Sequence, residues 1–158
     1  MTAPPRALQD RYPEGFARCF GCGRLNREGH LLKTVWESGE GVSRFTPRPE
    51  HLSVEGFVYG GLLASLVDCH SMATAAGHSM AGAGLEAGVD ETPRFVTGRL
   101  EVDYLAPTPI GCELELRGRV VEASARKAIV ESTVTARGVV TARGRVVAVR
   151  IPESMQRS

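Results

Sequence analysis

No run of this 158-residue chain approaches the roughly 18 consecutive apolar residues that a membrane-crossing helix needs. The opening residues, MTAPPRALQD, lack the basic segment and apolar core of a secretory signal. Excess charge of one sign is missing as well: 19 Lys and Arg stand against 18 Asp and Glu, a net charge of +1. That balance leaves no electrostatic footprint for nucleic acid or an anionic membrane as partner. The expectation is a soluble, cytoplasmic protein with reduced thiols. Internal repeats and low-complexity tracts are absent. The glycines at 21–23 and 82–84 do not follow a strand in dinucleotide-binding form.

Metal and redox signals are equally sparse. Cys19 and Cys22 form a Cys-x-x-Cys within CFGCGRLNREGH, yet no second such pair and no spaced His pair follows. Structural zinc takes four ligands, and a redox pair belongs beside a βαβ pattern that this chain lacks. The pair reads as a tight glycine-bearing turn with packed thiols, and Cys69 and Cys112 read as small core residues. No His, Asp or Glu cluster has metal-ligand spacing, so no metal is expected.

What the chain does have is residues 59–77, YGGLLASLVDCHSMATAAG, a helical run without a solvent face and with a single carboxylate, Asp68. An ionised Asp in such a helix costs several kcal/mol unless it is paired or used. The first backbone N–H groups of the helix, near Gly60 and Gly61, form a natural pocket for negative charge. A lone carboxylate and an anion-stabilising helix start together point to acyl-transfer chemistry.

The rest of the chain surrounds this helix with strands. Residues 1–18 read as an irregular arm with at most one short helix, and 19–158 as a single domain. Residues 31–36 and 42–45 read as short strands, 46–58 as a loop, and 78–93 as a glycine-rich mobile flap. Four strands follow at 95–104, 113–121, 128–136 and 141–151. Their alternation is visible where Leu114 and Leu116 interleave with Glu113, Glu115 and Arg117. Short links make them antiparallel neighbours. The pattern is an α+β fold, one long helix packed on a curved antiparallel sheet.

Spacing adds a constraint. Asp68 lies eight residues after Gly60, roughly 12 Å along the helix at about 1.5 Å per residue. A carboxylate and an oxyanion-binding N–H serving one carbonyl must both reach it within a few ångströms. One helix cannot supply both. Two antiparallel copies can, which implies a two-fold homodimer with two equivalent interface sites.

At these residues the sequence resembles the hotdog-fold acyl-CoA thioesterases of the 4-hydroxybenzoyl-CoA thioesterase superfamily, in a phenylacetate-pathway-like branch. Their signature is His-Gly-Gly, a short apolar run, then an Asp nine residues after the His. Tyr59-Gly60-Gly61 and Asp68 keep that spacing, and TGRLEVDYLAP (97–107) is similar to the family strand that ends in Tyr, two residues and Pro. CFGCGRLNREG resembles a Cys-rich opening found in one branch. The resemblance implies a hotdog fold, hydrolysis of an acyl-CoA thioester, and no cofactor beyond the coenzyme A of the substrate. It implies a homodimer, with a dimer of dimers left open.

It also assigns roles. Asp68 resembles the catalytic carboxylate, as general base or nucleophile. Gly60 resembles the helix-start residue whose N–H polarises the carbonyl, with Gly61 and Tyr59 beside it in the substrate site. Thr97 falls where such enzymes place a Ser or Thr near the carboxylate. Tyr59 replaces the signature His, and a phenol donates a hydrogen bond but does not titrate near neutrality. Ser53 stands where some members carry Asn or Gly. Arg126 and Lys127 form a basic turn of the kind that meets coenzyme A phosphates. His70, two residues from Asp68, points to another helix face and reads as a core or interface histidine, and His51 as a surface loop residue. A non-catalytic acyl-CoA binding module and a hydratase or dehydratase are the alternatives.

Overall fold

In a computed structural model of the chain, which describes residues 4–156, the apolar run from Gly60 forms one unbroken helix, α1 (Gly60–Gly82). Six strands wrap it: β1 (Thr34–Glu37), β2 (Glu40–Phe45), β3 (Phe95–Tyr104), β4 (Leu114–Ala123), β5 (Lys127–Ala136) and β6 (Val139–Arg150). They form one sheet in the order β1-β2-β4-β5-β6-β3, every neighbouring pair antiparallel. The helix packs against all six strands. This is the hotdog arrangement that the sequence predicts. Among the described residues no helix is long and apolar enough to cross a membrane.

Local chemistry explains the joints. The β1–β2 turn is Ser38-Gly39 and the β5–β6 turn is Arg137-Gly138, all four residues with positive φ. Two consecutive positive-φ residues match the right-handed twist of the flanking strands, so the hairpins close tightly. Along β5, Ala128, Val130, Ser132, Val134 and Ala136 are buried and the intervening side chains face outward. Beneath the helix the sheet carries glycines. A Cβ on Gly118 would lie 2.8 Å from His70 Nε2, and one on Gly144 would lie 2.3 Å from Val67 Cγ1. These glycines set how closely the helix approaches.

The boundaries differ from the sequence expectation where side chains reach across the fold. Residues 78–82, expected at the start of a mobile flap, are the last turn of α1, anchored by the buried Met80. Later in the same stretch, the Thr92 N–H and Oγ1 donate to Arg11 O (3.1 Å) and Leu8 O (2.8 Å). β1 starts at Thr34 rather than residue 31, because Leu31 takes a φ of 55° that no strand accommodates.

The N-terminal arm contains two short 3-10 turns, Leu8–Arg11 and Glu14–Phe16, and inserts Leu8 and Gln9 fully into the interior. Its first three residues and the last two of the expected domain lie outside the described residues. Gln9 Nε2 donates to Thr34 Oγ1 (2.9 Å), Thr34 Oγ1 bonds Ser43 Oγ (2.8 Å), and Ser43 Oγ bonds His70 Nδ1 (2.7 Å). This buried polar chain ties the arm, β1, β2 and α1 together. Burial pushes the His70 imidazole down to about 3, so the ring is neutral at ordinary pH.

Candidate active site

Asp68 lies in the helix half whose surface is open. From Cys69 to Gly77 every α1 residue is buried, whereas Gly61, Ala64, Ser65 and Asp68 form a partly exposed stripe at helical spacing. Leu62, Leu63, Leu66 and Val67 fill the core beneath it. The Asp68 carboxylate is therefore half sunk in apolar surroundings. Burial raises its pKa, with further upward pressure from Cys19, while the Thr97 hydrogen bond and the Arg94 charge oppose the rise.

Thr97, on edge strand β3, donates its hydroxyl to Asp68 Oδ1. The pairing depends on a backbone irregularity. The β3–β6 register runs Thr97↔Ala148 and then Arg99↔Val147, leaving Gly98 as an extra residue. A bulge re-aims the neighbouring side chain and twists the edge. No alternation rule exposes such a bulge in advance, although the glycine inside a strand is its usual sign.

At the other end of the stripe, Tyr59 is the N-cap residue of α1 with extended backbone and no side-chain cap. Its N–H donates to His51 O (3.1 Å), and no cap side chain serves the Gly60 and Gly61 amides that follow. Tyr104 Oη donates to Gly60 O at 2.7 Å, and its ring stands 3.2 Å from where a Gly60 Cβ would be. The Tyr59 ring folds over Gly61, 2.4 Å from a Cβ there. The Tyr59 ring leaves no room for a side chain at Gly61, whereas at Gly60 a Cβ is a tight fit that a small shift of the half-exposed Tyr104 ring accommodates. Gly60 and Asp68 remain on one straight helix, so one chain does not bring them together.

The other expected site residues are spread more widely. Ser53 is exposed in a small loop closed by its own N–H to Phe57 O (3.0 Å). Arg126 and Lys127 are exposed at the β4–β5 hairpin. Register across β3, β6 and β5 runs Thr97–Ala148–Ala128, so the basic tip sits two strands over, roughly 10 Å from Thr97. His51 is not the surface residue expected. It is buried, accepts the Arg48 N–H at 3.0 Å on Nδ1, and lies against the rings of Phe45 and His30. A groove of about 540 Å³ lined by Arg117, Glu131, Arg143 and Arg145 lies on the outer face of the sheet, away from Asp68.

The Cys-x-x-Cys turn abuts the same helix. The sulfurs of Cys19, Cys22 and Cys69 all lie within 4.8 Å of one another. The sequence reading expected no metal because the pair lacked further ligands. That premise does not hold, since the helix supplies a third sulfur one residue after Asp68.

Comparison with known proteins agrees with this fold. The family model for the thioesterase superfamily matches residues 55–143, which include the helix, β3, β4 and β5. No curated protein sequence matches the chain. A thioesterase superfamily protein from Shewanella loihica is 45% identical over 77% of this chain and 91% of its own, with a TM-score of 0.61. The E. coli PaaI protein of the phenylacetic acid degradation operon is 17% identical, covering 78% of this chain and 81% of its own, with a TM-score of 0.63. A Streptococcus mutans protein solved with acetyl CoA is 20% identical over 76% of this chain and 88% of its own, at 0.62. The latter two are similar in fold alone. With a family model over more than half its length and a relative at 45% identity, this chain belongs to the thioesterase superfamily.

Proposed function

We propose that the protein hydrolyses an acyl-CoA thioester to the free acid and coenzyme A, at two equivalent sites in a two-fold homodimer. The observation that carries this reading is Asp68: a half-desolvated carboxylate, held by Thr97, on the same helix as the uncapped amides of Gly60 and Gly61 but one reach too far from them. Antiparallel pairing of two α1 helices sets each Asp68 opposite its mate's helix start. The exposed surface suits such pairing. β3 is an unpaired ten-residue edge, and Tyr59, Leu100, Tyr104 and Leu105 expose 38–54% of their surface around it.

In the reaction, the thioester carbonyl oxygen lies against the Gly60 N–H of one protomer, where the helix dipole stabilises developing negative charge. Gly61 keeps the approach open, and Tyr59 and Ser53 flank the acyl group. Asp68 of the partner protomer removes a proton from water, or attacks the carbonyl to form an anhydride that water opens. Thr97 orients the carboxylate and the water. Coenzyme A departs as thiolate, its phosphates met by Arg126 and Lys127. The chemistry requires no further cofactor. Two structural neighbours were solved with acetyl CoA or coenzyme A, which supports a CoA thioester as ligand.

A non-catalytic acyl-CoA binding module is the second reading, favoured by the Tyr59 ring that covers Gly61. A hydratase is less well served. Such enzymes pair a His with the carboxylate, and both His51 and His70 are buried and engaged elsewhere.

A panel of acyl-CoAs with a thiol-reactive dye separates hydrolysis from saturable binding without release. Subunit mixing then tests the shared site. Gly60→Pro removes the N–H at a helix position that tolerates proline, and Asp68→Asn removes the base. Each variant alone should be inactive, and their mixture should regain activity through heterodimers holding one intact site. Failure of mixed chains to recover any turnover, although heterodimers form, rules out the shared site.

A further inference from the structure

Cys19, Cys22 and Cys69 meet although nothing in the proposed hydrolysis uses them. The approach is built in by glycine. A Cβ on Gly21 would lie 2.3 Å from Cys69 Sγ, and a Cβ on Gly23 would lie 2.4 Å from Cys19 N. Only this Cys-Phe-Gly-Cys-Gly turn, tightened by Gly23 N–H to Cys19 O at 2.7 Å, brings two sulfurs onto the helix at the third. Cys22 and Cys69 are buried, and Cys19 is partly exposed, so the cluster has one open side.

The distances suit a shared ion better than a bond between sulfurs. Cys19 and Cys69 sulfurs stand 3.7 Å apart, and no pair exceeds 4.8 Å. A disulfide needs about 2.05 Å and would leave the third sulfur unused. Two thiolates on one tetrahedral zinc, with bonds of about 2.3 Å, stand roughly 3.8 Å apart. Arg94 stands beside the cluster with its guanidinium 4.8 Å above the Tyr12 ring and a buried Nη1 that has no hydrogen-bond partner. Its charge acts on Cys19 and Cys22 as well as on the Asp68 carboxylate, so it is placed to offset negative charge gathered at the sulfurs.

We propose that Cys19, Cys22 and Cys69 form a three-thiolate site for a soft d10 metal ion, zinc above all, whose fourth position faces the open side at Cys19. Binding displaces the protons of the Cys19, Cys22 and Cys69 thiols and releases them to solvent. The resulting centre carries net charge −1 and is balanced by Arg94. It pins the N-terminal turn to α1 one residue from Asp68, so its first effect is structural.

Metal analysis of full-length protein purified in reductant should find about one zinc per chain. After chelation, titration with Cd(II) should produce a thiolate-to-metal charge-transfer absorption that saturates at one ion per chain, with three protons released per ion. Cys19→Ser, at the partly exposed turn, should abolish stoichiometric loading, while Cys112→Ser should leave it intact. Because the Cd(II) titration uses the wild-type chain, the result does not depend on whether any variant folds. Metal-free protein that develops no charge-transfer band while its thiols react freely with dye overturns the proposal. So does a Cys19–Cys22 disulfide in protein folded under reductant.

Discussion

The two halves of α1 are built for opposite purposes. From Cys69 to Gly77 the helix is sheathed: Met72, Ala73, Ala75 and Ala76 are buried, Gly77 lies under Trp36, and His70 is locked into a hydrogen-bonded chain. From Gly60 to Asp68 one side of the helix is open, its cap is missing and its carboxylate is only half covered. Stability resides in the sheathed half, where most contacts are apolar, although His70 Nε2 and Ser71 Oγ are buried without a hydrogen-bond partner. The open half retains the features that a folding optimum would remove, namely unserved amides and a desolvated acid. Such local departures are where function is expected.

The sharpest way to test that contrast is Asp68→Asn. Thioester turnover should fall by about 10²–10⁴-fold, while the thermal midpoint stays level or rises, because a partly buried charge has been removed. Thiol release and a melting curve read both. The wild-type pH–rate profile should gain activity above the ordinary carboxylate range, because burial raises the Asp68 pKa. A folded variant with unchanged turnover would remove Asp68 from the chemistry.

The sheathed half should respond to acid instead. His70 has a folded pKa of about 3 against 6.5 unfolded, so between those values the unfolded chain binds the extra proton. Stability is complete above pH 6.5 and is lost as pH falls, by about 3 kcal/mol near pH 4 at roughly 1.36 kcal/mol per unit. Denaturant titrations at several pH values should show this slope, and His70→Gln should flatten it. An unaltered slope in that variant would assign the acid sensitivity to other groups.

Packing gives a smaller contrast. Ala ordinarily stabilises a helix by about 1 kcal/mol over Gly, but at position 77 its Cβ would meet the Trp36 ring at 2.5 Å. Gly77→Ala should therefore cost about 1–3 kcal/mol. Gly82→Ala, whose Cβ would meet nothing within 4 Å, should be neutral or mildly stabilising. Equal effects at the two positions would contradict the packing. Least of all, Tyr104→Phe removes the bond to Gly60 O and should lower stability by under about 1 kcal/mol, the ring being half exposed. A midpoint shift larger than that of Gly77→Ala would reverse the ranking.

The sequence made much of the sheet legible, because alternation and paired positive-φ turns are local signals. Leu114, Leu116, Val130 and Val134 fall inward as their pattern predicts. The end of α1 was not legible, because residues 78–82 are small or polar and become helical through Met80 packing rather than through propensity. Nor was the N-terminal arm, whose Gln9 finds its partners on Thr34, 25 residues away. Asp68 and Thr97 were both visible as residue types at the right spacing. Their hydrogen bond depends on the Gly98 bulge.

By itself the amino-acid order determined one long apolar helix with a single acid, glycines at its start, and strands enough to cover it. Those properties follow from periodicity and turn chemistry, which act over a few residues. Tertiary structure alone decided that Thr97 reaches Asp68, that Tyr104 lies on Gly60, and that Cys69 joins Cys19 and Cys22. Each of those contacts joins residues at least 29 positions apart, and such pairs meet only when a register and a helix–sheet separation have been chosen by the whole core.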